Sequence, residues 1–198
     1  MNRDTEITPF EDRSSQSRTT TKTPKIRRVS TSLKWAGLTG FWVQLVLGVI
    51  STVMLLLAIT NRTETSRPGT GFSLFCAASG LICLIVAIYF SFRYGKMAQR
   101  LQNNTARPKK STTIKTIKIG LIINLVGMLL TILGAEAIAG IVLSKILAFG
   151  QGEVFAAQNT KEFVNSLDLF IVQANTNIIA AHFAGLTSSL WLLGRITE

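Results

Sequence analysis

The sequence predicts an all-α integral membrane protein: a bundle of four transmembrane helices behind a disordered basic N-terminal tail. Two observations lead to this fold class. The apolar residues of the 198-residue chain form four long blocks, with most of the charges between them, whereas a soluble protein mixes the two at helix or strand period. Each block also reaches the roughly 20 helical residues that cross a 30 Å hydrocarbon layer.

The predicted elements divide the chain into a tail and a membrane domain. Residues 1–32 are polar and rich in Ser, Thr and Arg, and too few apolar residues are present to offset the entropy cost of ordering them. Residues 33–198 form the predicted transmembrane domain, with spans at about 35–60, 72–92, 119–146 and 168–193. Trp35 and Trp42 stand near the start of the first span, where interfacial aromatic residues are common.

The basic residues predict the orientation of the four spans. Eight of the 21 Lys and Arg residues lie in residues 1–34 and eight in residues 93–118, against two in residues 61–71 and one in residues 147–167. Positive charge is enriched on the cytoplasmic side of membrane proteins. The N- and C-termini are therefore expected in the cytoplasm, because four spans return the chain to its starting side.

The net charge of +11 is interpreted as attraction to anionic lipid head groups rather than to nucleic acid. No nucleic-acid motif interleaves aromatic with basic residues. Motifs for nucleophilic catalysis, phosphate binding or zinc binding are also missing from the sequence. The chain is therefore not expected to be an enzyme or to carry a cofactor, and its predicted partner is the lipid bilayer.

Small and polar residues recur at helical spacing in two spans, and each set lies on one helix face. Such residues let membrane helices approach closely and hydrogen-bond across the contact. Helix packing is the favoured interpretation, with a pore lining as the alternative. The helix-packing candidates are Gly40, Gln44 and Gly48 in the first span and Asn124, Gly127 and Gly134 in the third.

The most unusual residue is Glu136, a carboxylate inside the third span, where a charge is costly. Because the third span runs outward and the fourth returns, Glu136 is expected at the depth of the polar residues of the fourth span. We therefore expect one polar cluster, serving either transport or structural hydrogen bonding; whether it holds a metal is left open. Its members are Glu136, Gln173, Asn175, Asn177 and His182.

Several segments resemble a family of cyanobacterial and chloroplast four-helix membrane proteins long classed as a domain of unknown function. The resemblance covers roughly residues 33–195. It rests on GFWVQLV at 40–46, ASG at 78–80, SFRY at 91–94, NLVGM at 124–128, LG at 133–134, Lys145, LDLF at 167–170, VQAN at 172–175, HFAGL at 182–186 and SL at 189–190. Near Glu136 the family pattern has a neutral polar residue, often Gln, so Glu136 departs from it.

The resemblance implies two competing functions, because the plant member of the chloroplast inner envelope has been described as a protein-import translocon component and as an iron permease. The first hypothesis is therefore a permease, or permease subunit, for iron or another cation, with a metal ion as its substrate. The alternative is a non-transporting subunit or assembly factor of a larger membrane complex. Both hypotheses imply a homo-oligomer or a larger assembly. The expected location is a cyanobacterial plasma or thylakoid membrane.

Overall fold

The computed structural model describes residues 24–60, 68–102, 109–156 and 166–197, and almost all of them are helical. The four helices are α1 (Pro24–Thr60), α2 (Pro68–Gln102), α3 (Lys110–Ala156) and α4 (Ser166–Thr197). Each contains a stretch long and apolar enough to cross a membrane, and no strand occurs in the described ranges. The predicted all-α membrane bundle of four spans is confirmed.

The helices extend beyond the predicted spans, which corrects the predicted boundary of the tail. Residues 24–32 were expected to be disordered, yet α1 begins at Pro24, a residue suited to the first turn of a helix. Ser30 is buried and its hydroxyl donates to the carbonyl oxygen of Ala98 on α2 at 3.0 Å. Packing against α2 therefore stabilises the start of α1, while residues 1–23 lie outside the described part of the chain.

The other connections are also shorter than the sequence indicated. Residues 93–102 continue α2, and α3 runs from Lys110 to Ala156. The stretch between the third and fourth predicted spans, residues 147–167, is therefore helical at both of its ends. Helix formation satisfies every backbone group internally, so a helix can continue past the apolar block that defined the predicted span.

The bundle forms a ring in which each helix packs against its neighbours in the chain and α4 closes against α1. Across the ring, α2 and α4 also approach each other. Helices α1 and α3 lie diagonally across the ring, and their backbones do not approach each other closely in the described residues. A hydrogen bond between two amide side chains links them. The interior is therefore narrow and crossed by side chains from all four helices.

The surface and the interior have the composition of a membrane protein. Large apolar side chains face outward on every helix, including Val49, Ile82, Leu129 and Phe183, while each helix buries hydroxyl or amide side chains in the interior. Lipid is as apolar as leucine, so burial of apolar surface does not hold such helices together; close packing and interhelical hydrogen bonds do.

One end of the bundle carries the basic residues that flank the spans. A cluster of buried apolar residues there includes Leu33, Tyr94, Ile117 and Leu192, one from each helix. Their chain neighbours Lys34, Arg93, Lys118 and the nearby Arg195 are exposed. We call this the basic end; the sequence prediction assigns it to the cytoplasm.

Candidate functional site

Four polar side chains, one from each helix, meet in the interior of the bundle. The Ser91 hydroxyl on α2 donates to Gln44 Oε1 on α1 at 2.8 Å, and Gln44 Nε2 donates to Asn124 Oδ1 on α3 at 2.8 Å. His182 Nδ1 on α4 lies 3.0 Å from the same Asn124 oxygen. All four residues are buried, and together they form what we call the central polar network.

The hydrogen bond between Asn124 and the backbone of α3 determines how the amides in this network are oriented. Asn124 Nδ2 donates to the carbonyl oxygen of Gly120 at 2.9 Å, so reversing the amide would bring two acceptor oxygens together. The Asn124 oxygen therefore points at Gln44 and His182. Because Gln44 must donate to that oxygen, its own oxygen accepts from Ser91.

Glycines create the space for these side chains. A Cβ atom on Gly185 would meet the amide groups of Gln44 and Asn124, and one on Gly127 would meet the His182 ring and Cys83 Cβ. Side chains of the adjacent helices lie directly against both glycines, as expected when small residues let membrane helices approach closely. The predicted packing residues Gly40 and Gly48 are also buried, with Ser188 and Leu84 respectively beside them.

A second, smaller polar group lies farther from the basic end. The Ser73 hydroxyl donates to the carbonyl oxygen of Gly134 at 2.6 Å, and Asn175 Nδ2 lies 3.5 Å from the Ser73 hydroxyl. Asn175 is fully buried, and its Oδ1 has no hydrogen-bond partner among the described residues. This group therefore holds one buried oxygen that is free to accept.

Apolar layers close the polar interior at both ends. The layer at the basic end is the cluster around Leu33, Tyr94, Ile117 and Leu192. The opposite layer contains Ala58, Ile138 and Ile171 from three helices. The described conformation is therefore one in which polar groups are enclosed between two apolar seals.

The family model described as "Protein of unknown function (DUF3611)" matches residues 23–197, a range that includes every residue the structure describes. The chain belongs to the DUF3611 family. It is also 30% identical over 178 residues to "Protein TIC 21, chloroplastic" of Arabidopsis thaliana, covering 87% of this chain and 59% of that protein. This DUF3611 protein thus spans about three-fifths of the length of that relative. No solved structure matches it.

In this DUF3611 protein the predicted cluster of five polar residues does not form. Asn175 and His182 face the interior, whereas Glu136 and Gln173 are exposed and Asn177 is half-buried. Gln173 Nε2 donates to Asn177 Oδ1 at 3.3 Å on the outer side of α4. The expected depth was right, since Gly134 lies beside Asn175. The expected direction was wrong, because Glu136 points opposite to the buried face of α3.

The position of Glu136 along α3 lowers the cost of its exposure. At 1.5 Å per residue, about 27 Å of helix separates it from Lys118 at the basic end. A hydrocarbon layer of about 30 Å that begins beside Lys118 therefore ends close to Glu136. The carboxylate is thus placed to reach the head-group region on the opposite side.

Ser91 and Ser73 are functional candidates that the sequence did not single out. Ser91 begins the SFRY segment of the family resemblance, but serine is common in membrane helices and nothing in the sequence gave either serine a partner. The signal that was available is Gln44: a glutamine in an apolar span needs a partner. Only the packing of α1 against α2 identifies that partner as Ser91.

The described residues contain no group of three or more His, Cys, Asp or Glu side chains that would hold a metal ion. Cys76 and Cys83 both carry free thiols, and among the described residues neither of them belongs to a group of potential metal ligands. The interior instead offers amide, hydroxyl and carbonyl oxygens. Hard cations prefer ligands of this kind.

Proposed function

We propose that this DUF3611 protein is a permease, or a permease subunit, for iron or another cation. The observation that supports this most is the pair of buried polar groups enclosed between apolar layers. Such an arrangement suits a closed intermediate of a transporter, whose seals open in turn. Passage also requires weak binding that releases its ion, so oxygen ligands without a tight metal cluster are compatible with transport.

Asn175 offers the sharpest test, because its Oδ1 is buried without a partner. Purified protein is placed in sealed liposomes with a trapped metal-sensitive dye, and ferrous iron is added outside under reducing conditions. We expect uptake by the wild type, and Asn175→Leu to slow it by about tenfold or more, the effect of 1.4 kcal/mol of lost cation stabilisation.

Gln173→Leu is the matched control, since Gln173 is an exposed amide on the same helix. It should leave uptake unchanged, and so should Glu136→Gln. No uptake by folded, inserted wild-type protein, with iron or with other divalent cations, would contradict the proposal. Equal slowing by Asn175→Leu and Gln173→Leu would show that the interior polar groups do not form the path.

A second candidate function is that of a non-transporting subunit of a larger membrane complex, such as a protein translocon. Glu136 favours it, because a carboxylate on the outer face of α3 is available to a neighbouring protein. Gln173 and Asn177 add a second polar site on the outer side of α4. Polar side chains hydrogen-bond between membrane helices.

Native membranes solubilised in mild detergent test this candidate. We expect the protein to migrate with a mass well above that of the monomer, and Glu136→Leu to reduce the larger species. Ile82→Ala, on the exposed face of α2, is the control and should not change migration. Migration of the wild type as a free monomer would speak against a subunit role.

The membrane and the orientation belong to the proposal as well. We place the protein in a cyanobacterial plasma or thylakoid membrane, with the basic end in the cytoplasm. The exposed Lys34, Arg93 and Lys118 at that end suit the anionic cytoplasmic leaflet.

A further inference from the structure

The histidine at the centre of the bundle is hydrogen-bonded in an unusual way. His182 is the one histidine in the sequence, and its side chain is fully buried. Its Nδ1 lies 3.0 Å from Asn124 Oδ1 on α3, and its Nε2 lies 3.2 Å from the carbonyl oxygen of Gly80 on α2. Both ring nitrogens are therefore within hydrogen-bonding distance of an oxygen.

Both of these oxygens are acceptors. The Gly80 oxygen is a backbone carbonyl, which has no proton to donate. The Asn124 oxygen is identified by its amide, whose nitrogen donates to Gly120 and whose oxygen accepts from Gln44. If the Asn124 amide were reversed, its nitrogen would face His182, but its oxygen would then lie against the carbonyl oxygen of Gly120.

A neutral imidazole cannot satisfy this environment. It has one N–H group and one nitrogen lone pair, so one of the two contacts would set a lone pair against an oxygen. The doubly protonated ring donates at both nitrogens and matches both acceptors. We propose that His182 is a proton-binding site inside the membrane. It binds a second ring proton, and the oxygens of Asn124 and Gly80 accept hydrogen bonds from the two ring N–H groups.

The surroundings of the ring determine how the added charge is held. On α2 the titratable neighbour is Cys83, whose Cβ and the ring both lie over Gly127; α1 contributes Gln44 to the site and α3 contributes Asn124, neither of which titrates. Tyr94 lies farther away, against Gly120. The buried residues that the structure describes include no Asp, Glu, Lys or Arg. Oxygen dipoles therefore hold the charge, and the hydrogen bond that Asn124 Nδ2 donates to Gly120 polarises the amide and strengthens its oxygen as an acceptor.

Proton binding is thereby coupled to helix packing. With both ring protons present, His182 ties α4 to α2 and to α3. When one proton leaves, one of these two contacts loses its hydrogen bond. The site goes beyond the proposed transport function and stands without it, because it follows from hydrogen bonding in a single chain.

Nuclear magnetic resonance of the histidine ring tests the site directly. The full-length protein is produced with ¹⁵N-labelled histidine and a purification tag that contains no histidine, so that every ring signal comes from His182. Spectra are recorded in liposomes between about pH 5 and 8, the range in which histidine changes its charge. We expect two protonated ring nitrogens, the signature of imidazolium, in at least the acidic part of this range.

Asn124→Leu removes one of the two acceptors and should abolish the imidazolium signature, whereas Gln173→Leu, an exposed amide on α4, should retain it. The wild-type spectrum remains decisive if the Asn124 variant does not fold. One protonated and one bare nitrogen in the wild type at every pH would overturn the proposal. An imidazolium signature that persists in folded Asn124→Leu would overturn the role of Asn124.

Discussion

Gly127→Ala should destabilise the bundle by about 3 kcal/mol, at the upper end of the range for overpacked cores. The added Cβ would collide with the His182 ring and lie 2.8 Å from Cys83 Cβ. The ring is held by two polar contacts, and a Cβ atom moves only with its backbone. Neither neighbour can yield without separating α2, α3 and α4.

Gly140→Ala is the matched control for this prediction. It lies on the same helix, and apart from its chain neighbours and its own helix backbone no atom of the described residues lies within 4 Å of the Cβ that it would gain. Helix content followed by circular dichroism during SDS titration gives the stability of both variants in detergent. We expect a large shift for Gly127→Ala and almost none for Gly140→Ala. Equal shifts would mean that the contact at Gly127 is not tight in the folded protein.

Asn124→Leu should cost about 2 to 4 kcal/mol, because it leaves the buried Gln44 Nε2 without an acceptor, a loss of about 1 to 3 kcal/mol, and also removes the oxygen that accepts from the His182 ring. Gln44 Nε2 and His182 Nδ1 both lie against the Asn124 oxygen at present. Leucine adds no acceptor, and no water is available in a hydrocarbon environment to replace it. The loss should exceed the average interhelical hydrogen bond of a membrane protein, about 0.6 kcal/mol.

The same SDS titration measures this loss, with Gln173→Leu as the exposed control. Pairing Asn124→Leu with Gln44→Leu provides a further check. The double variant should be less destabilised than the sum of the single variants, because removing both partners leaves fewer unsatisfied groups. Additive losses would show that Gln44 and Asn124 do not depend on each other.

Glu136 shows how an argument from depth alone misplaced part of the candidate site, although at helical spacing Glu136 lies about half a turn from Gly127 on the predicted packing face. Spacing along two antiparallel spans fixed its depth, and Gly134 does lie beside Asn175. Depth does not fix direction. Rotating α3 by half a turn about its axis would move Glu136 from the lipid-facing side to the interior. The packing of Gly127 and Gly134 against α2 sets the rotation of α3.

The start of α1 shows a similar limit for the fold. Residues 24–32 are polar, and composition predicted disorder for them. Ser30 is nevertheless buried, because α2 extends through residues 93–102 and the carbonyl oxygen of Ala98 accepts the hydrogen bond of its hydroxyl. A polar segment becomes ordered when a neighbouring helix accepts its hydrogen bonds, and composition does not show that neighbour.

The sequence by itself determined the membrane environment, the four helices and the face on which Asn124, Gly127 and Gly134 lie. These properties follow from local quantities, namely the length of an apolar block and the period of a helix. Only the tertiary structure decided that Ser91, Gln44, Asn124 and His182 form one network. Hydrogen bonds between helices depend on rotation and register, which result from the packing of all four helices together.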